Sequence, residues 1–321
     1  MLGIEFTVED VARTRFALSP LWEVVASIRV LKGSDAEGMH RPWADEVRPR
    51  LAAAGADLAP LFDLVPVPTL TLPAFLGAPP TLSQPSLDVE LAALRATPPE
   101  RIDGSDGIPP ARIDALRADP DRALGELADA VTAYWEIALA PYWPRILTLL
   151  EGDILYRARR LADGGAYRLF DDLDPGISWD DGTLRLAMRF CRGVRRLDGR
   201  GLLLNPSVFV WPRVFSLIGG PWQPTVRYPP RGIASLWTPT ASAPSAALAA
   251  VLGRSRALLL GELAAPASTT DLARRTGLTP GGVSQHLTAL RDARLVSAHR
   301  TGRTVLYART RIAEALLAEQ P

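Results

Sequence analysis

The side chains that most often carry out catalysis or bind metals are scarce in this chain of 321 residues. It has three histidines, His40, His286 and His299, and one cysteine, Cys191. So few cannot build a disulfide framework or a Cys/His zinc site within one chain. Lys32 is the one lysine, and its surroundings match no P-loop or Schiff-base motif. The composition therefore predicts no metal site and no lysine chemistry.

Common enzyme motifs are absent as well, because no G-x-S-x-G, G-x-G-x-x-G or H-E-x-x-H pattern occurs. His40 lies near Asp45 and Glu46, an arrangement more typical of a surface or capped histidine than of a general base. Cys191, in a predicted strand, is expected to be a small buried hydrophobe. We predict that the protein is not an enzyme and needs no cofactor.

Targeting signals are not evident. The start "MLGIEFTVED" lacks a basic, then apolar, leader, and no run of about 20 uncharged apolar residues occurs. Together with the single cysteine, this predicts a cytoplasmic protein without a membrane partner.

The charge is distributed unevenly along the chain. The Pro-, Ser-, Thr- and Ala-rich stretch Leu236–Ala247 is typical of a linker, and it predicts two domains, 1–244 and 245–321. The second domain has ten arginines and five acidic residues, whereas the first has 26 basic and 30 acidic residues. A basic appendage on an acidic body indicates nucleic-acid binding.

The elements of the first domain are expected to be helical first and extended later. Thr7 and the pair Ser19-Pro20 can begin two successive helices. A long helical region follows, interrupted at two prolines and ending at Gly164–Gly165. In "TLRLAMRF" apolar residues alternate with others, and "GLLLNPSVFVWP" and "PTVRYPP" resemble strands whose prolines favour edges. We predict an α+β protein: a helical and antiparallel-sheet N-terminal domain, then a C-terminal winged helix-turn-helix.

The winged helix is predicted from "STTDLARRTGLTPGGVSQHLTALRDARLVSAHRTGRTVLYART". A short helix ends at Gly277, and Thr279 with Pro280 begins a second helix, which is the arrangement that places a recognition helix in the major groove of DNA. Two extended runs joined at Thr301 and Gly302 form a hairpin, the wing.

Helical geometry divides the second helix into two faces. Val283, Leu287 and Leu290 fall on one side and are expected to face the core. The residues predicted to contact DNA are Thr279, Gly281, Ser284, Gln285, His286, Thr288 and Arg291 on the helix, and Arg300 and Arg303 on the wing.

This stretch resembles the winged helix of the ArsR-like (arsenic-repressor-type) transcription regulators, with "VSQHLTAL" similar to their recognition helix and "RTGRTVLY" to their wing. The resemblance implies a homodimeric DNA-binding repressor or activator, of which we predict the repressor. It also implies contacts by Ser284, Gln285, His286, Arg300 and Arg303.

The sequence departs from that family in two places. Metal-sensing members carry a cysteine motif on the helix before the turn, but "GELAAPASTTDLA" has none, so we predict no metal sensing through that site. The usual "AGL" after the recognition helix is Ala293-Arg294-Leu295 here. An arginine at that left-handed position is expected to cost on the order of 1 kcal/mol.

The N-terminal domain resembles the uncharacterised domain found ahead of such winged helices, in "EDVARTRFALSPLWE", "HRPWADEVRPRL" and "NPSVFVWP". That resemblance implies no ligand. Trp211, Phe215, Trp222 and Tyr228 could line an apolar effector pocket, or be ordinary core aromatics. The predicted function is a dimer on an inverted-repeat operator in double-stranded DNA; the alternative is a winged helix used for protein contacts or assembly.

Overall fold

The computed structural model describes residues 1–34, 38–68, 71–188, 191–237, 246–263, 266–301 and 304–318. Its contacts divide the chain into two compact units. Unit 1 comprises Met1–Trp143 and Arg157–Pro229, and unit 2 comprises Pro144–Tyr156 and Pro230–Pro321. Helices and sheets occur in both, so the predicted α+β class is confirmed. No helix in the described part of the chain is long and apolar enough to cross a membrane.

The helices of unit 1 begin where the sequence supplies caps. The Thr7 side chain accepts a hydrogen bond from the Asp10 amide, and the Asp10 carboxylate accepts one from the Thr7 amide, which is a complete capping box. Ser19 accepts from the Trp22 amide, with Pro20 in the first helical position. The helices are α1 (Val8–Ala12), α2 (Pro20–Arg29), α3 (Arg41–Ala54), α4 (Ala59–Phe62), α5 (Leu87–Arg95), α6 (Pro110–Ala118), α7 (Pro120–Ala138) and α8 (Trp143–Phe170).

The α8 helix is broken near its end, where the sequence predicts that it stops. Gly164 and Gly165 have non-helical backbone angles, and the φ of 64° at Gly165 lies in the left-handed region that favours glycine. A further helical stretch then runs to Phe170. The prediction is therefore correct for the regular helix and misses this last segment.

Unit 1 also contains two four-stranded sheets. The first has the order β3-β4-β1-β5, and the second has the order β2-β6-β8-β7. Strands β3 and β4 form a hairpin around Asp181 and Gly182. The strands are β1 (Leu2–Glu5), β2 (Arg15–Phe16), β3 (Ile177–Asp180), β4 (Thr183–Leu186), β5 (Gly193–Arg196), β6 (Leu203–Pro206), β7 (Phe215–Leu217) and β8 (Thr225–Tyr228).

The expectation of purely antiparallel sheets is wrong in part, because both sheets are mixed. Strand β1 pairs in parallel with β5, β2 with β6, and β6 with β8. Parallel neighbours need a long connection, and helices α2 to α8 lie between β1 or β2 and the parallel partner of each. The proline-flanked strands β6 and β8 are inner strands rather than edges, since their prolines lie at the strand ends.

Unit 2 is a winged helix extended by part of α8. Two contacts connect this part of α8 to the winged helix. The Thr148 hydroxyl donates to the Asp271 carboxylate at 2.9 Å, and Gly152 lies so close to Pro266 that an added Cβ would be 3.1 Å from it. Apolar side chains such as Leu259, Leu287 and Leu290 form its core. The elements are α9 (Ala246–Leu252), α10 (Arg254–Glu262), β9 (Ala267–Ser268), α11 (Thr269–Thr276), α12 (Pro280–Asp292), β10 (Val296–Thr301), β11 (Thr304–Arg309) and α13 (Arg311–Ala318).

Candidate nucleic-acid interface

The turn between α11 and α12 is built by residues that can stop one helix and start the next. Gly277 ends α11 with a φ of 72°, and its amide donates to the Ala273 carbonyl at 3.0 Å. Two residues later, the Thr279 side chain accepts from the Gly282 amide at 3.2 Å, and Pro280 takes the first helical position. The predicted helix-turn-helix is confirmed.

The two faces of α12 are also those predicted. Val283, Leu287 and Leu290 are at most 1% exposed and pack into the core of unit 2. His286 is half-buried at the boundary between the faces. The predicted contact residues that the structure leaves exposed on this helix are Gly281, Ser284, Gln285, Thr288 and Arg291, and the capping Thr279 is exposed as well.

The exposed face of α12 has hydrogen-bonding capacity that the protein itself does not use. The Thr288 hydroxyl donates to the Ser284 carbonyl at 3.0 Å, so its oxygen remains able to accept. The Gln285 amide has no hydrogen-bond partner in the described part of the chain. Gly281 has a helical φ and no atom within 4 Å of where a Cβ would stand. The fold of unit 2 therefore does not require glycine at position 281, and it leaves the Gln285 amide available to a partner.

The end of α12 is a Schellman motif in which arginine occupies the left-handed position. Arg294 has a φ of 56°; its amide donates to Arg291 and the following Leu295 amide donates to Leu290, both at 2.9 Å. The side chains of Leu290 and Leu295 are both buried at this end. The left-handed backbone expected at Arg294 is therefore present.

The wing is the hairpin of β10 and β11. Arg300 is exposed and lies opposite Val305, and Thr301 lies opposite Thr304. The other predicted wing contact, Arg303, lies outside the described residues. A third strand, β9, pairs with β11 and ties the wing to the beginning of α11.

Arginines outnumber acidic residues in unit 2, and four of its acids, Glu151, Asp153, Glu262 and Asp271, are buried. Asp271 is 5% exposed and pairs with Arg274 at 2.6 Å. Glu262 is 3% exposed, and burial raises the pKa of its carboxyl group. Burial, and then the like charges of Arg275 and Arg274, lower the pKa of Arg145 on α8. The sequence did not predict that Arg145 belongs to this basic region, because it lies far before α11 in the chain and in no motif of its own.

The four aromatic residues suggested as an effector pocket do not come together. Tyr228 is fully buried beneath Arg157, whose Cζ lies 4.9 Å from its ring centre, and Trp222 lies beneath Arg101 at 5.3 Å. Trp211 is half-buried. Of the four, Phe215 alone lines a cavity of about 760 Å³ in unit 1.

Two further expectations are wrong. His40 is fully buried rather than on the surface, and its ring lies 4.9 Å from that of Phe209. Cys191 is exposed and lies outside any strand, because β4 ends at Leu186. Within the ranges that the structure describes, no group of three His, Cys, Asp or Glu side chains could hold a metal ion.

The comparisons with known proteins agree with this geometry. Residues 256–298, from α10 to β10, match the family model described as bacterial regulatory protein, arsR family. Comparison with curated proteins and with solved structures gives no match. The matched segment contains α11, the turn and α12. Unit 2 therefore carries a helix-turn-helix of the arsR family, which indicates a role in DNA-binding transcription regulation.

Proposed function

We propose that the protein is a sequence-specific transcriptional repressor that inserts α12 into the major groove of double-stranded DNA. The observation that carries this proposal is the division of α12. Its apolar side is buried in the core, while Ser284, Gln285 and Thr288 are exposed on the other side. Gln can bond the adenine edge with both its donor and its acceptor, and a Thr methyl suits the thymine methyl.

The first turn of α12 is suited to a phosphate. Helix N-termini present free amides and a partial positive charge to anions. Thr279 uses its oxygen for the cap and keeps its hydroxyl proton for donation. Gly281 adds no side chain between the backbone and an approaching partner.

Arginines supply the sequence-independent part of the affinity. Arg291 on α12 is half-exposed, and its contact with Asp292 is long, at 3.9 Å. Arg300 is exposed on the wing. Contacts from such side chains to phosphates release counterions and make binding depend on salt. We assign Arg303 to the same role from its place in the sequence, between β10 and β11.

The proposed active form is a homodimer on an inverted repeat, with half-sites about one helical turn apart. The proposal is supported by α9 and α13, which both pack on the core of unit 2 and both leave apolar side chains exposed. Val251 is 82% exposed, Ile312 57% and Leu316 44%. Apolar side chains at this level of exposure suit a second copy of the chain.

Unit 1 is proposed to receive the signal, as a non-enzymatic and cytoplasmic effector domain. We infer that the signal is not a soft metal bound at the helix before the turn, because the one cysteine, Cys191, lies outside the matched segment. A small molecule that binds two states of the protein unequally would shift the population competent to bind DNA.

The test is selection of duplexes from a random pool by the full chain, followed by titration of the best duplex at several salt concentrations. Log affinity should fall with log salt by about 0.9 for each phosphate contact. Arg291→Ala and Arg300→Ala should each weaken binding to all duplexes and reduce that slope by about one contact. Arg195→Ala removes an equally exposed arginine from unit 1 and is the matched control, with no expected change.

Base recognition is tested separately. Gln285→Ala should relax the preference at one base position and cost about 1–3 kcal/mol there. Sedimentation analysis of the complex should show two chains for each duplex. Binding that is absent at low salt, or indifferent to salt, would exclude the DNA-binding proposal and favour a winged helix used for protein contacts.

A further inference from the structure

Unit 1 contains a cavity of about 760 Å³, within the range of small-molecule sites. Its walls come from α2, α6, the β7–β8 pair and the three loops that contain Ala74, Asp106 and Cys191. Trp22, Gly77 and Arg227 form the buried end, and Ile108 and Ile113 add apolar wall. The exposed residues that line the mouth are Thr71, Asp106, Asp114, Arg117 and Cys191.

Strand register places Phe215 beside Arg227 in the wall of the cavity. Phe215 of β7 and Arg227 of β8 lie directly opposite each other in an antiparallel pair, so their side chains share one face of the sheet. Trp22 of α2 contacts both: its ring centre lies 5.6 Å from that of Phe215 and 3.9 Å from Cζ of Arg227. The Trp22 ring therefore lies against the Arg227 guanidinium and also against the Phe215 ring.

The Arg227 guanidinium has donors that the described residues leave unused. The residue is 3% exposed, yet it donates one hydrogen bond, from Nη2 to the Gly77 carbonyl oxygen. Its Nε is buried without a partner among the described residues. A guanidinium has five N–H donors, and buried polar groups in proteins are normally bonded. The cavity-lining arginine is thus left with an open hydrogen-bonding edge.

The charge of Arg227 is also incompletely balanced. Burial lowers its pKa to about 9, so the group stays protonated at neutral pH. The acid that acts on it electrostatically is Glu90, but that carboxylate accepts its hydrogen bonds from Ser19 and the Leu21 amide instead. Arg29, over Phe215 at 4.5 Å, adds a second buried positive charge. A buried cation in this position favours an anionic ligand.

We propose that this cavity binds a small aromatic monocarboxylate, with the carboxylate on Arg227 and the ring between Trp22, Phe215 and the two isoleucines. Arginine and carboxylate form paired N–H···O bonds, and aromatic walls favour a planar body. Three carboxylates also line the cavity, Asp103, Asp106 and Asp114, of which Asp114 pairs with Arg117 at 4.0 Å, and they disfavour a second negative charge on the ligand. The role of this ligand as the effector rests on the proposed function, whereas its binding to the cavity does not depend on DNA binding.

Cys191 provides a direct readout, because it is the one cysteine of the chain, is exposed and lines the mouth. The full chain is treated with a chromogenic disulfide reagent in the presence of phenylacetate, benzoate or indole-3-acetate. At least one acid should slow the reaction of Cys191 in a saturable manner. The matching neutral amide should protect at least about tenfold less well, since it lacks the charge that Arg227 binds. Cys191→Ser gives the background, and calorimetry gives the dissociation constants.

Two variants assign the interaction. Arg227→Lys keeps the charge and removes the planar fork, so affinity for the acid should fall at least about tenfold. Arg157→Lys is the control, because Arg157 is equally buried over an aromatic ring but does not line the cavity. Phe215→Ala, which shortens a half-buried wall residue, should weaken binding of acid and amide alike.

Three results would overturn the proposal: no acid protects Cys191 at millimolar concentration, acid and amide protect equally, or Arg227→Lys binds as the parent does. DNA binding is measured separately on the same samples. Carboxylate binding without any DNA binding would refute the regulator and leave the cavity assignment standing. The reverse result would refute the cavity assignment alone.

Discussion

Gly281 provides the sharpest test of how α12 is used, because nothing in the protein requires a glycine there. The residue has a helical φ, it is exposed, and no atom lies within 4 Å of the place where a Cβ would stand. Replacing glycine by alanine in such a position restricts the unfolded chain and favours the helix. In the free protein, Gly281→Ala should therefore be stabilising.

The magnitude follows from the place of Gly281 in the helix. A glycine in a helix interior costs about 0.5–1 kcal/mol relative to alanine, and the first turn lies at the lower end because its amides are not in helical hydrogen bonds. A gain of about 0.5 kcal/mol corresponds to roughly 2–4 °C in the melting temperature of a unit of this size. Gly125, inside α7 and also with nothing within 4 Å, is the matched control in unit 1. Gly125→Ala should stabilise by about 1 kcal/mol.

DNA binding should separate the two variants. An amide of the first turn that donates to a phosphate at about 2.9 Å brings the DNA into contact with the Gly281 Cα region, where a methyl group would intrude. We expect Gly281→Ala to lose at least about tenfold in DNA affinity, about 1.4 kcal/mol, while Gly125→Ala keeps the parent affinity. Thermal unfolding and fluorescence anisotropy on a selected duplex measure the two effects. Parent-like affinity in Gly281→Ala would show that DNA does not approach this turn; a destabilised Gly281→Ala would refute the helix argument itself.

Three further predictions concern the stability of unit 2. Arg294→Gly should raise the free energy of unfolding by about 1 kcal/mol, because Arg294 has a φ of 56°. Ala293→Gly, at a φ of −75°, should lower it, and both changes are measured as shifts in melting temperature. The opposite order would mean that the left-handed backbone carries no strain. Burial raises the pKa of Glu262, so its contribution to stability is fully present below the ordinary carboxyl pKa and is lost as the pH rises through the folded value. Glu262→Gln should therefore gain stability over the parent at pH 8 and lose that advantage near pH 4.5; thermal melts that differ equally at both pH values would contradict this. Asp271→Ala should cost about 2–4 kcal/mol, since the buried carboxylate accepts from Ser268, Thr148 and Arg274, whereas Arg274→Ala, whose side chain is 57% exposed, should cost about 1 kcal/mol or less in the same unfolding assay.

The helix-turn-helix could be predicted from residue patterns alone, because its signals are local. Thr279, Pro280 and Gly277 act on backbone groups within four residues of themselves, and the spacing of Val283, Leu287 and Leu290 follows from helical geometry alone. In each case the cause and its effect lie within one turn of helix. The left-handed residue at the end of α12 was expected from the family resemblance instead, since an arginine gives no local signal for it.

The remaining features depend on contacts between distant segments of the chain. Parallel pairing of the first strands with strands more than 180 residues later leaves no periodic trace that identifies the partner. The burial of His40 and the exposure of Cys191 depend on neighbours from other elements. The cavity shows this most clearly, since Trp22 and Arg227 meet through strand register and helix packing. Local residue patterns predict local geometry, whereas a site assembled from distant segments exists only after the chain has folded.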